Sequence, residues 1–222
     1  MVMPLNGFDY CPISDSNNVI ADAPNHPGIR MVTIKPTVKL SPQEYAEGSW
    51  QQPTTENAPK FSAAAYHYAL TLQRTLQIPI GVITCAWGGS RVEGWLPKEI
   101  LQTYKDEDLT LIGSDKTPVY LQSMLMYNGI LYPCHKYTIK GFIWYQGESN
   151  VRSSRTYAER LATMVKHWRS IWKQGDLPFY YVETVPFACE YKEDGYIGAL
   201  LREAQQLSLI HISEPTRPIS IS

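Results

Sequence analysis

The sequence has no strong excess of either charge, since its 222 residues carry 20 Lys and Arg against 21 Asp and Glu, for a formal net charge of −1. A balanced chain of this kind gives no reason to expect nucleic acid or an anionic membrane as a partner. It also contains no apolar run long enough to cross a membrane, and no internal repeat. The oligomeric state stays open.

The sequence is also poor in cysteine. Its four cysteines, at positions 11, 85, 134 and 189, form no Cys-x-x-Cys pair and have no histidine pair to complete a zinc site. No metal and no cofactor are therefore expected. Cys85 lies in an apolar stretch and is predicted to be a buried free thiol, while any pairing of the others stays open.

What the sequence does have is enough apolar material for one core, because 44% of its residues are hydrophobic. Residues 139–150 begin with an apolar run and end in a polar cluster, which indicates a buried strand that ends at a site. That strand would deliver Gln146, Glu148 and Asn150 to its carboxyl end, where ligands bind in open α/β sheets. The alternative is that these side chains only cap a helix beginning near Ser153.

Residues 80–90 repeat the pattern, with a strand-length apolar run followed by the glycine turn Gly88 and Gly89. Glycines let backbone amides approach a ligand closely, because they have no Cβ in the way. Amide donors on one turn and a Gln side chain on the other are suited to stabilising an oxyanion. The alternative for the two glycines is an ordinary tight turn.

The remaining periodicities predict an α/β/α sandwich of three layers around a mostly parallel, flavodoxin-like sheet. Further strands are predicted at residues 29–35 and 178–183. Helices are predicted at residues 59–76, 98–104, 119–131 and from about 153 to a stop at Gly175.

Two motifs, Trp-Gly-Gly-Ser-x-x-Glu-x-Trp at residues 87–95 and Trp-Tyr-Gln-Gly-Glu-Ser-Asn at residues 144–150, resemble the sialate O-acetylesterase family of SGNH hydrolases. Residues 50–57, 127–133 and 201–205 are similar to the same family, so the resemblance reaches about Leu207. It implies an SGNH-type fold and a serine esterase that removes O-acetyl groups from sialic acids.

The resemblance also implies site residues. Gly88 and Gly89 would supply an oxyanion amide, Gln146 a side-chain donor, and Glu148 a brace for the turn or for the catalytic histidine. The residues expected to contact substrate are Trp50, Arg91, Trp95, Asn128 and Asn150.

Both ends depart from the family pattern. Met1 is expected to align with the methionine of a Gly-Gln-Ser-Asn-Met motif, which would place the nucleophilic serine just before residue 1, and no Asp-x-x-His spacing occurs in the sequence. We therefore expect a partial esterase domain at residues 1–207, inactive by itself, and a poorly ordered, non-family tail at residues 208–222, which resembles translated vector sequence.

Three functions remain open at this point. The parent protein would deacetylate sialic acid, or another acetylated glycan such as xylan, or the chain would be a glycan-binding remnant without catalysis. Nothing at the first residues reads as a signal peptide, and the resemblance alone points to a secreted, periplasmic or lysosomal parent.

Overall fold

The computed structural model describes residues 3–186 and 196–212. The helices are α1 (Ser16–Asp22), α2 (Ala63–Leu76), α3 (Lys98–Leu101), α4 (Ser154–Trp172) and α5 (Ile197–Ile212), and the strands are β1 (Ile29–Thr33), β2 (Ile80–Thr84), β3 (Phe142–Trp144) and β4 (Phe179–Tyr181). Short 3₁₀ turns connect several of them. In this part of the chain no helix is both long and apolar enough to span a bilayer.

The strands pair in parallel, as predicted. Strand β1 pairs with β2 in the register Ile29 to Ile80, and β3 pairs with β4 in the register Phe142 to Phe179. The hydrogen-bonded ladder of the described residues is thus divided into two parallel pairs. The α/β fold class is confirmed.

Strand β1 buries side chains on both of its faces, although Arg30 and Thr33 are exposed. Ile29 and Met31 pack with α2 in one cluster, whereas Val32 packs in a second cluster that includes α4, α5 and the β3–β4 pair. The strands therefore lie between α2 on one side and α4 with α5 on the other, and this is the predicted three-layer arrangement.

Helix α2 begins at the N-cap Ser62, whose hydroxyl accepts from the Ala65 amide. The predicted start at Pro59 was too early, because residues 58–60 form a separate 3₁₀ turn. Helix α4 was predicted to stop at Gly175, but the left-handed residue that ends it is Lys173. Gly175 also has a positive φ, beyond the helix end.

The predicted helix at residues 119–131 is wrong. The chain there forms a 3₁₀ turn at Val119–Leu121, bends, and continues as a π-helical turn at Tyr127–Leu131. Met124, with a φ of 59°, interrupts the helix between them. Helix α3 is likewise shorter than the predicted 98–104.

Helix α5 runs to Ile212, so the domain boundary predicted at Leu207 falls inside a helix. The Ser208 side chain is fully buried, and its hydroxyl donates to the Gln205 carbonyl. Residues 213–222, the rest of the predicted tail, lie outside the described residues.

Candidate functional site

Two turns that follow consecutive strands of the chain lie next to each other in the structure. The first, which we call the glycine turn, is residues 87–90 after β2, and the second, the glutamine turn, is residues 146–150 after β3. Both lie at carboxyl ends of parallel strands, where open α/β sheets form their ligand sites. The meeting predicted from the two apolar runs is therefore present.

Hydrogen bonds between side chains of one turn and the backbone of the other hold them in place. Gln146 Nε2 donates to the Ser90 carbonyl at 2.9 Å, and Ser149 Oγ donates to the Gly89 carbonyl at 2.6 Å. Because the two carbonyls are adjacent in sequence, these bonds fix both the position and the orientation of the glycine turn.

The two glycines leave their amides available. Gly88 and Gly89 are exposed, and neither N–H donates a hydrogen bond to another residue that the structure describes. Gly89 has a φ of 76°, a backbone angle that residues other than glycine rarely adopt, and a Cβ there would lie 3.1 Å from the Tyr120 ring. The turn therefore has two exposed backbone donors without a described partner, and an oxyanion site needs such donors.

Gln146, by contrast, has its polar atoms engaged. Its amide nitrogen donates to the Ser90 carbonyl and, at 2.8 Å, to Asn150 Oδ1, which uses both of its hydrogens. Its Oε1 accepts from the Tyr157 hydroxyl at 3.0 Å. Burial raises the pKa of Tyr157 well above its usual range, so this hydroxyl keeps its proton. Direct donation from Gln146 to a substrate oxygen would require one of these bonds to break.

Asn150 links the glutamine turn to a buried ion network. It is fully buried, its Oδ1 accepts from the Val92 amide at 2.9 Å, and its Nδ2 donates to Glu93 Oε2 at 3.0 Å. Glu93 is also fully buried and pairs with Arg160 of α4. Asn150 is therefore a buried link between the glutamine turn and this network, and the substrate contact expected for it stays a prediction.

Arg160 and Arg91 extend this network toward the segment after α3. Arg160 contacts Asp106 at 2.7 Å and Glu107 at 3.4 Å, and Arg91 pairs with Glu107 at 2.7 Å. Arg91 also donates to the Leu121 carbonyl at 2.9 Å. Arg91, expected to contact substrate, is only partly exposed and serves here to join two loops.

Helix α5 braces the glutamine turn from the other side. Gln205, fully buried, donates to the Gln146 carbonyl at 3.1 Å and accepts from the Thr184 amide at 3.0 Å. Gly147 allows this close packing, because a Cβ there would lie 2.7 Å from Thr184 Cγ2 and 3.2 Å from a methyl group of Leu201.

Glu148 is half-buried at the start of a 3₁₀ turn, Glu148–Ser153. Its carboxylate makes no hydrogen bond or ion pair with another residue in the ranges 3–186 and 196–212, so the bracing role expected for it stays a prediction. Its neighbour Ser149 makes the contact that holds the glycine turn.

Three residues expected to contact substrate have other environments. Trp95 is 2% exposed, donates to Ser90 Oγ and packs edge-on against Trp144 in the core. Asn128 is 2% exposed, and its Nδ2 donates to the Lys39 carbonyl, which fixes a loop. Trp50 lies in a separate cavity, whose lining includes no other predicted site residue.

The sequence reasoning missed several residues that shape the site. The structural partners are Ser149, Glu93, Arg160, Gln205 and Tyr120. Glu93, Ser149 and Gln205 were visible in the family-like motifs, but their types gave no hint of their partners. Nothing in the sequence near Arg160 or Tyr120 indicated that they approach the two turns.

The structure has no group of three or more His, Cys, Asp or Glu side chains placed to hold a metal ion within the described ranges. None of the described histidine rings hydrogen-bonds a serine hydroxyl, so no Ser-His pair for nucleophilic attack is assembled in this part of the chain. The described residues can instead donate hydrogen bonds from the backbone of the exposed glycine turn.

Comparison with solved structures finds the same architecture. The chain superposes on a carbohydrate acetylesterase from Xanthomonas citri with a TM-score of 0.76 and 29% identity, over 95% of this chain and 45% of that one.

Two mammalian relatives are sialate O-acetylesterases. Human sialate O-acetylesterase is 25% identical over 172 residues, which cover 73% of this chain and 33% of the human protein. The mouse sialate O-acetylesterase is 22% identical over 248 residues, covering 93% of this chain and 46% of the mouse protein. The chain thus spans a third to less than half of the length of these relatives.

A family model described as carbohydrate esterase, sialic acid-specific acetylesterase, matches residues 44–214. The match includes both turns and all of α5, while the boundary at Leu207 stays a prediction. On this match, supported by the relatives and the structural neighbour, the chain belongs to the family of sialic acid-specific carbohydrate acetylesterases.

Proposed function

We propose that this chain forms the oxyanion-binding part of an esterase that removes O-acetyl groups from a sialic acid. The observation that carries the proposal is the glycine turn, whose exposed Gly88 and Gly89 amides donate to no described residue. When a nucleophile attacks an acetyl ester, negative charge develops on the carbonyl oxygen, and fixed amide donors stabilise that charge.

In the proposed reaction a serine attacks the acetyl carbonyl, a histidine takes its proton, and water then hydrolyses the acetyl-enzyme. This serine mechanism follows from the family resemblance. The described residues contribute the donors and their support, with Ser149 and Gln146 holding the two carbonyls beside the glycine amides.

Gln146 would act mainly by holding the turn. A second, direct role as an oxyanion donor would require the bond to Ser90 or to Asn150 to open as substrate binds. Both roles predict a loss of turnover when Gln146 is removed, because a rigid donor array loses its advantage once it can reorganise.

We further propose that the 222-residue chain alone has no useful hydrolytic activity. What supports this is that no described histidine is paired with a serine and that the chain spans only 33% to 46% of its mammalian relatives. An oxyanion site without nucleophile and base retains little of an enzyme's rate.

The second substrate class, another acetylated glycan such as xylan, is favoured by one observation. The Xanthomonas citri neighbour is a carbohydrate acetylesterase, a name that covers any acetylated glycan. The oxyanion chemistry is the same for any acetyl ester, so the glycine turn does not distinguish the sugars.

The test is to express the full-length parent protein and the 222-residue chain and to measure acetate release from O-acetylated sialic acid and from acetylated xylan. We expect the parent to release acetate from the sialic acid at a higher kcat/KM than from xylan, and the chain to release none. Faster release from xylan would assign the second substrate class. Binding of either glycan by the folded parent without acetate release would instead indicate a non-catalytic protein.

A further inference from the structure

Two cysteine thiols that the proposed reaction does not use lie in contact at the end of β2. Cys85 directly follows β2, and Cys134 ends the 3₁₀ turn Tyr132–Cys134. Their sulfur atoms are 3.8 Å apart, and both also approach the Ile130 carbonyl, at 3.7 Å from Cys85 and 3.4 Å from Cys134. The sequence predicted Cys85 to be buried and unpaired, and its contact with Cys134, distant in the chain, was not foreseen.

The separation suits cross-linking. A disulfide bond is about 2.05 Å long, so the two sulfurs at 3.8 Å need to approach by about 1.8 Å. The two thiols hydrogen-bond each other directly.

The pair is chemically asymmetric. A hydrogen bond from the Cys85 thiol lowers the pKa of Cys134, while the same contact and burial raise the pKa of Cys85 well above its usual range. Cys134 is therefore the thiol that loses its proton first and acts as the nucleophile, because the thiolate is the reactive form.

A small oxidant can reach Cys134. A cavity of about 160 Å³ is lined by Cys134 and Ile83 and, at the surface, by Trp50 and Tyr45. Tyr45 is 87% exposed and Trp50 is 44% exposed, so this end of the cavity meets solvent. The cavity has room for a molecule the size of a few waters.

We propose that Cys85 and Cys134 are a modification site at which a peroxide forms an intramolecular disulfide. The Cys134 thiolate attacks one peroxide oxygen, the O–O bond breaks, and hydroxide leaves as a sulfenic acid forms on Cys134. Cys85 then gives up its proton and attacks the Cys134 sulfur, so that the S–S bond forms as the S–O bond breaks. The two thiols are oxidised by two electrons, and hydrogen peroxide is reduced to two molecules of water.

The cross-link would join the carboxyl end of β2, just before the glycine turn, to the turn at Tyr132–Cys134. It adds a covalent constraint between segments that are now held by weak thiol contacts and packing. The chain thus has a redox-sensitive connection close in sequence to its proposed oxyanion donors.

The test uses the 222-residue chain and its Cys11→Ser/Cys189→Ser variant, which keeps only the pair. Each is treated with hydrogen peroxide, blocked with an alkylating reagent and examined by intact-mass and peptide mass spectrometry. We expect the double variant to lose the mass of two hydrogen atoms, to yield one peptide linked between Cys85 and Cys134, and to recover both thiols with dithiothreitol. The wild-type chain should contain the same linked peptide.

A matched control adds Cys85→Ser to the double variant, which should gain oxygen on Cys134 and form no internal link. Circular dichroism checks that each variant is folded. The proposal is overturned if both thiols of the folded wild-type chain remain open to alkylation after peroxide, or if they oxidise without a link. It is also overturned if the link forms only between molecules or equally fast in urea, since the folded geometry would then play no part.

Discussion

Removing the Gln146 side chain should destabilise the fold, because this side chain joins three buried groups. Its amide donates to the Ser90 carbonyl and to Asn150 Oδ1, and its Oε1 accepts from the Tyr157 hydroxyl. The change to test is Gln146→Ala in the 222-residue chain.

The magnitude follows from these bonds. Each contributes about 1 kcal/mol net, and a buried polar group left without a partner costs about 1–3 kcal/mol. Gln146→Ala leaves the buried Tyr157 hydroxyl and Asn150 Oδ1 with fewer partners, although Asn150 keeps its bond from the Val92 amide. We expect a loss of about 2–4 kcal/mol in the free energy of unfolding.

The assay is urea denaturation followed by circular dichroism, with Gln206→Ala as the matched control. Gln206 makes one exposed hydrogen bond, to Glu183 at 2.9 Å, so the same substitution should cost about 0.5 kcal/mol or less. If Gln146→Ala costs no more than Gln206→Ala, the three buried bonds do not stabilise the fold, and the reasoning is refuted.

Three further predictions concern the support of the site. Gly147→Ala should destabilise the chain by about 1–3 kcal/mol in thermal unfolding, because the alanine Cβ would lie 2.7 Å from Thr184. An unchanged melting temperature would contradict the close packing. Arg160→Met should cost up to about 3–5 kcal/mol in urea denaturation, because the fully buried Glu93 carboxylate would keep only its longer ion pair with Arg91, at 3.9 Å. The added change Glu93→Gln should recover part of this loss, and no recovery would exclude the charge as the cause. Burial lowers the pKa of His167 below 6.5, so the unfolded state binds the proton more readily, and stability should fall as the pH drops below 6.5. His167→Gln should reduce this loss of stability. An equal pH dependence in both proteins would show that His167 is not its source.

The backbone elements were predictable where burial repeats along the chain. The apolar runs before Gly88 and Gln146 gave the two strands, and the helical spacing of apolar residues over 61–76 and 157–172 gave α2 and α4, because burial of one face imposes a period on the sequence. The π-helical turn at Tyr127–Leu131 was missed, since apolar residues there are buried on all sides and leave no helical period.

The site was predictable only in part. Turns that follow parallel strands lie at the carboxyl ends of those strands, so the meeting of Gly89 with the glutamine turn could be foreseen. The partners of individual polar side chains could not, because Glu93 and Arg160 meet through tertiary packing that no local pattern records. Trp95 and Asn128 have residue types common in sugar sites, yet the fold uses them in the core and in a loop contact.

The most direct test of the oxyanion assignment is the kcat of the full-length parent protein for acetate release from O-acetylated sialic acid, with and without Gly89→Ala. Alanine disfavours the φ of 76° at this position and would meet the Tyr120 ring, so the amides of the turn should leave their productive orientation. Gly175→Ala is the matched control, because Gly175 has the same φ of 76° and a Cβ there meets nothing within 4 Å.

We expect Gly89→Ala to lower kcat by ~10²-fold or more with little change in KM, since donors to a developing oxyanion act chiefly on the transition state. Gly175→Ala should keep the wild-type kcat. A folded Gly89→Ala protein with the kcat of the wild type, or a folded parent that releases no acetate at all, would contradict the account.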